Sequence, residues 1–151
     1  MRATLLSYVV PGWGAGEVWL AGGLVVGIEH PVPGREGEES DHELARRLRA
    51  WFAGARDDFA DVELDLEWCT PFERQLVDAL RGVQAGETVS YGELAALAGR
   101  PRAARAAGTL CASNRFAIVV PCHRVVAANG IGGYGSLGVA YKRRLLALEK
   151  R

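Results

Sequence analysis

Hydrophobic and polar positions alternate with a period of two over the first thirty residues, the pattern of half-buried strands. The alternation predicts strands over Thr4–Val10, 16–21 and 24–28, with Gly22-Gly23 as the hairpin turn between the last two. Pro31-Val32-Pro33-Gly34 and the acidic run to Asp41 read as an exposed loop. Over 41–53 the period lengthens. Leu44, Leu48, Trp51 and Phe52 share one face and Gly54 lies past the end, which predicts a helix. Residues 57–67 form an acidic connector in which Val62, Leu64 and Leu66 alternate as a short strand would.

At Thr70 the character changes. Thr70-Pro71 with Glu73 is an N-cap, a first-turn proline and a capping box, and Phe72, Leu76, Val77 and Leu80 supply an apolar face up to Gly82. Ser90 with Glu93 repeats the capping box, Leu94, Leu97 and Ala98 follow, and Gly99 ends that helix. Pro101 opens a third helix, Arg102 to Ala112. Helix, Gly-containing turn, helix is the helix-turn-helix pattern. Its second helix, with Ala103, Ala104, Arg105 and Ala106, has little side-chain bulk. It fits either a nucleic-acid groove with arginines reaching out or tight packing in a core. The apolar run Ile118–Val120, closed by Pro121, reads as a buried strand. A last helix runs from Val139 to Lys150, packing Leu145, Leu146 and Leu148. It carries a basic face of Lys142, Arg143 and Arg144, with Glu149 as its single acid. The reading is α/β (α+β): a small α/β support domain over 1–68 and a helical domain over 69–151.

Composition narrows the function classes. A chain of 151 residues, 49% apolar and 24% charged, can bury a real core in one domain or two small ones. No apolar run reaches membrane-span length, and no signal-peptide pattern opens the chain, so the expectation is a cytoplasmic, monomeric protein without a membrane partner. Three widely spaced cysteines, Cys69, Cys111 and Cys122, argue for a reducing compartment rather than a disulfide framework. No Cys/His cluster has zinc spacing, so neither metal nor cofactor is expected. Net charge is zero but divided. Residues 1–69 carry −7 and residues 70–151 carry +7, which points the second half toward a polyanion unless these are merely two differing solvated faces.

The chemistry concentrates at Pro121-Cys122-His123-Arg124. A thiol is a strong nucleophile only as thiolate, and an adjacent imidazole can take its proton. Read alone, the pair is more often a small buried hydrophobe next to a surface histidine; the motifs around it reverse that reading. Cys69 and Cys111 read as packing residues, Cys111 able to border a pocket, and His30 and His42 as surface residues. The run Asn129–Ser136 has four glycines among residues 130–135 but no following Lys-Ser/Thr, so it is no P-loop. It suits a pocket wall that offers main-chain groups.

Taken together, the sequence resembles the O6-alkylguanine-DNA alkyltransferases. The resemblance rests on Thr70-Pro71-Phe72, Val89-Ser90-Tyr91-Gly92-Glu93-Leu94-Ala95, Ala103-Ala104-Arg105-Ala106, Asn114, Pro121-Cys122-His123-Arg124-Val125-Val126, Gly133-Tyr134 and Leu145-Leu146 before Glu149. It covers residues 68–151; the first part fits the family's ribonuclease-H-like domain in size and strand order, and the second its winged-helix-like domain. The resemblance implies single-turnover repair of O6-alkylguanine, and perhaps O4-alkylthymine, in double-stranded DNA entered through the minor groove. Cys122 would accept the alkyl group and His123 would take its proton through a water held by Glu149. Asn114 would tie the turn before the nucleophile. Arg105 would fill the gap left by an everted nucleotide, with Ala103 and Ala104 against the groove. Tyr91 would help turn the target nucleotide, and Tyr134 would bound the pocket. The carbonyls of Cys122 and Val125 would read the guanine amino group, and either Gly135 or Ser136 would donate to its oxygen.

A base stacked in a duplex cannot reach a thiolate, so eversion and a filler are what this chemistry needs. A non-enzymatic lesion sensor of related build lacks the cysteine. A sequence-reading regulator would want a recognition helix richer in hydrogen-bonding side chains. A Cys-His hydrolase lacks an acyl-pocket motif. With no resolving thiol near Cys122 in the sequence, the alkylated product is expected to persist.

Overall fold

A computed structural model describes residues 2–150. The first alternation forms three antiparallel strands, β1 (Thr4–Val10), β2 (Gly14–Ala21) and β3 (Leu24–Val32), in the order β1-β2-β3. Gly22 and Gly23, at φ of 59° and 82°, make the hairpin turn, a conformation that costs any residue with a Cβ. β3 runs past Pro31 to Val32, where the alternation predicted a loop. The pairing of β2 with β3 shifts register between Ala15 and Glu17, and an irregular ladder of this kind tolerates a proline. α1 (Glu43–Phe52) buries Leu44, Leu48, Trp51 and Phe52, and His42 caps it by accepting from the Leu44 N–H at 3.1 Å. The connector at 62–66 makes only one bridge, Leu64 to Val25, and not a strand. Its acids are drawn elsewhere: Asp57 and Asp61 both pair with Arg47 on α1.

The chain groups into two compact units, Met1–Asp65 with Arg115–Ala117, and Leu66–Asn114 with Ile118–Arg151. The brief return into the first unit is a bridge of Phe116 to Ile28. The Ile28 N–H donates to Arg115 at 2.7 Å and the Ala117 N–H donates to Ile28 at 3.2 Å. Three residues of this kind leave no periodic signature.

The second unit contains α2 (Pro71–Arg81), β4 (Val89–Ser90), α3 (Tyr91–Leu97), α4 (Ala104–Ala112), β5 (Val125–Val126) and α5 (Val139–Glu149). Both capping boxes form, Thr70 with Glu73 and Ser90 with Glu93, each cap contributing about 1 kcal/mol. β4 and β5 pair in parallel, Val89 with Val125 and Ser90 with Val126. This ladder sets the start of α3 beside the segment that follows Cys122. α4 begins two residues later than the pattern indicates, because Pro101 and Arg102 are spent in a turn that the Ala103 N–H closes on Arg100 at 3.0 Å.

The predicted strand over Ile118–Val120 is instead a buried turn. Ile118 sits at φ 71°, a position that costs a β-branched residue about 1–3 kcal/mol and breaks any ladder. An apolar run looks the same whether it is buried as strand or as turn.

Candidate active site

Pro121, at φ −82° and ψ 67°, centres an inverse γ-turn in which the Cys122 N–H donates to Val120 at 2.8 Å. A 3₁₀ turn, Cys122–Arg124, follows directly, and the Val125 N–H closes it on the Cys122 carbonyl. Two tight turns in succession fix the direction of three side chains. All three are buried: Cys122 is 6% exposed, His123 0% and Arg124 7%. Asn114, just past α4, donates from Nδ2 to Val120 at 2.9 Å and hydrogen-bonds the Cys122 sulfur, which would stabilise a thiolate there. The end of α4 is thus tied to the turn that carries the nucleophile.

Glu149 is the last residue of α5 and is buried. Its Oε1 lies 3.0 Å from Nε2 of His123. Nε of Arg124 donates to both carboxylate oxygens, at 3.1 and 3.0 Å, and its Nη2 pairs with Oε2 as well. Nη1 of Arg124 donates to the Val83 carbonyl at 2.6 Å. Burial alone would raise the Glu149 pKa, but the hydrogen bonds from His123 and Arg124 outweigh it and hold the carboxyl at about 2. A carboxylate can only accept, so Nε2 of His123 carries the proton and Nδ1 is the basic nitrogen. Burial lowers the His123 pKa below its ordinary value, against the pull of Glu149, so the ring is neutral at pH 7. The helix dipole disfavours an acid at this end of α5, and Arg124 is what compensates it.

Cys122 is held as a thiol. Its pKa is pushed well above that of an ordinary cysteine, by a hydrogen bond with Cys111 first and by burial second. Cys111, half-buried on α4, is thus near enough to perturb the nucleophile; the sequence had it as a packing residue able to border a pocket. Lys142 corrects another expectation. Placed on the basic face of α5 by the helical pattern, it is 1% exposed. Its Nζ donates to the carbonyls of Val125 at 2.6 Å and Gly133 at 3.1 Å. Burial lowers its pKa, while negative charge on Cys111 or Cys122 would raise it, so the ammonium and the thiols sense one another. Gly132, at φ 75°, packs into the same place: a Cβ there would stand 3.1 Å from the Ala127 nitrogen, 3.4 Å from the Tyr91 hydroxyl and 3.5 Å from Nζ of Lys142.

The other predicted residues fall around this cluster. Tyr91 opens α3, and its hydroxyl faces Gly132. Val125 is buried on β5; its carbonyl accepts from Lys142, and the Cys122 carbonyl accepts from the Val125 N–H. Tyr134 stacks on Tyr141 with ring centroids 6.3 Å apart. Ser136 and Gly135 are exposed in a short 3₁₀ turn, Gly135–Leu137. Arg105 is exposed near the start of α4; Ala103 and Ala104 are half-buried, and Ala107 faces the core. The alanine-rich helix therefore packs one side into the core and leaves Arg105 and Ala106 exposed on the other. Reading the sequence gave no role to Arg124 or to a buried Lys142. A lone acid on a basic helix called for a cation near it, a signal that points to Arg124; nothing in the sequence pointed to the burial of Lys142.

Residues 71–151 match the family model described as 6-O-methylguanine DNA methyltransferase, DNA binding domain. A methylated-DNA--protein-cysteine methyltransferase of Mycolicibacterium paratuberculosis is 50% identical over 106 residues, 70% of this chain and 62% of that protein. One of Methanosarcina acetivorans is 46% identical over 123 residues, covering 81% of this chain and 77% of the relative. The chain thus spans less than two thirds of the mycobacterial relative's length. Among solved structures, the Mycobacterium tuberculosis OGT crystallised with DNA superposes with a TM-score of 0.77 at 34% identity, over 97% of this chain and 92% of that one.

Proposed function

The chain belongs to the 6-O-methylguanine DNA methyltransferase family, and on that premise we propose that it repairs alkylated DNA by moving the alkyl group of O6-alkylguanine onto its own Cys122. The observation that carries this reading is a buried thiol followed directly by a buried imidazole, whose far nitrogen rests on a carboxylate locked by Arg124. The thiol proton leaves toward Nδ1 of His123. The sulfur attacks the alkyl carbon, the carbon–oxygen bond breaks, and its electron pair stays on the guanine oxygen, which regains its normal form on taking up a proton. Glu149 stabilises the imidazolium that forms, and Arg124 keeps Glu149 ionised. Asn114 favours the thiolate. The carbonyls of Cys122 and Val125 face the guanine amino group, and the turn holding Gly135 and Ser136 offers the donor to its oxygen. O4-alkylthymine presents the same alkyl ether and is a second substrate.

The DNA-facing part is the helix-turn-helix of α3 and α4. Exposed Arg105 occupies the place of the everted nucleotide, Ala103 and Ala104 allow close approach to the minor groove, and Tyr91 and Tyr134 bound the pocket. Lesions arise in any sequence, which suits a helix with few base-reading side chains. The protein acts as a cytoplasmic monomer. The thioether product is a poor leaving group, so each molecule reacts once. With excess O6-methylguanine duplex, product should plateau at one equivalent of protein; several turnovers per molecule would overturn the reading.

A further inference from the structure

Tyr134 stands in glycine-rich chain that has little stiffness of its own. Gly133 precedes it, and Gly135 and Gly138 after it hold φ of 53° and 87°. α5 supplies two holds on this loop. Tyr141 and Lys142, successive residues near the start of α5, grip Tyr134 and Gly133, successive residues of the loop. Lys142 donates to the Gly133 carbonyl at 3.1 Å. The Tyr141 ring stacks on Tyr134, with centroids 6.3 Å apart and planes 19° from parallel. The chain between them closes on itself: the Gly138 N–H donates to the Tyr134 carbonyl at 3.2 Å, and the Lys142 N–H donates to the Gly138 carbonyl at 3.3 Å. We propose that Tyr141 sets the size of the alkyl group the site accepts, by backing the Tyr134 ring. The proposal rests on the repair reading, in which Tyr134 bounds the pocket around Cys122.

A methyl group is the smallest alkyl substituent and leaves the Tyr134 ring where it is. A bulkier group enters only if that ring gives way, and a ring that gives way leaves its stack on Tyr141. The interaction of an aromatic pair corresponds to about two- to tenfold in rate. That penalty falls on the bulky substrate alone. Lys142 does not share this role, because it holds main chain and fixes the loop for every substrate alike. Tyr141 acts through Tyr134, so it is a positioning residue. The Tyr141 hydroxyl is no part of the stack, so a phenylalanine ring should serve as well.

The test measures single-turnover transfer from two duplexes of one sequence, one carrying O6-methylguanine and the other O6-isobutylguanine. The readout is the ratio of the two rates, in which DNA binding and eversion largely cancel. Tyr141→Ala and Tyr141→Leu should lower the methyl-to-isobutyl ratio by about two- to tenfold. Tyr141→Phe should keep the parent ratio, which a role of the hydroxyl in the fold would not allow. A second arm needs no lesion DNA. Exchange of the Gly138 amide, followed by NMR, should quicken in the ringless variants and match the parent in Tyr141→Phe. The proposal is overturned if whichever ringless variant folds keeps the parent ratio, or if Tyr141→Phe shifts the ratio as far as Tyr141→Ala does. Gly138 exchange that ignores the loss of the ring overturns it as well. A parent protein that transfers neither alkyl group would overturn the repair reading on which the proposal rests.

Discussion

Glu149 holds His123 and Arg124 at once, and the three form one buried charge cluster. Glu149→Gln leaves the Arg124 guanidinium buried and unbalanced, which should cost about 3–5 kcal/mol of stability, read as a lowered Tm. Glu149 is depressed in the folded state, to about 2, so its contribution is fully present above its ordinary carboxylate range and is lost as pH falls toward 2. The pH profile of the reaction belongs to His123 instead. Its pKa lies below the ordinary 6.5, so the rate with free O6-benzylguanine should stay level through neutrality and fall only below 6.5. An acid limb above pH 6.5 would contradict a buried neutral imidazole. Lys142→Met should orphan the carbonyls of Val125 and Gly133, at about 1–3 kcal/mol each, and loosen the pocket wall. At this scale Cys122 and His123 could be singled out only with the motifs around them, because an adjacent Cys-His pair alone reads as a buried hydrophobe beside a histidine. The burial of Lys142 was not legible. A lysine on a helix between two arginines looks like a solvated face until the glycine loop folds over it.

The two capped helices were legible from local sequence, since Thr70 with Glu73 and Ser90 with Glu93 satisfy their helix ends within four residues. Elements that depend on distant partners were not. Ile118–Val120 has the composition of a buried strand, but a left-handed Ile118 and the γ-turn at Pro121 make it a turn, and residue type alone argues against a β-branched residue at φ 71°. β5 is only two residues long and exists through its pairing with β4. α4 carries the next prediction. Arg105 is exposed on it and makes no part of the Cys122 cluster. Arg105→Ala should slow repair of duplex DNA by an order of magnitude or more, about 1–3 kcal/mol of lost stabilisation of the everted state, and leave reaction with free O6-benzylguanine nearly unchanged. Equal losses on both substrates would assign Arg105 to the fold.

Across the whole molecule the clearest sequence signal is the division of charge, −7 over residues 1–69 and +7 over residues 70–151. The site lies wholly within the second unit, in the basic part of the sequence. Binding to duplex DNA should therefore weaken steeply between low and physiological salt, by tenfold or more if several phosphates are contacted; affinity that ignores salt would remove the basis for a DNA-facing surface. Cys111 and Cys122 are eleven residues apart, on a helix and a turn, and Asn114 ties the end of that helix to the turn. Cys111 perturbs the acceptor thiol, so the identity of the methylated cysteine is itself a test. The most direct measurement is peptide mapping of the protein after reaction with an O6-methylguanine duplex. The account predicts one methyl group, on the tryptic peptide of residues 116–124 and on Cys122 within it, at one equivalent of protein. A methyl group on Cys111 or Cys69, or repaired DNA with none of the cysteines methylated, would contradict it.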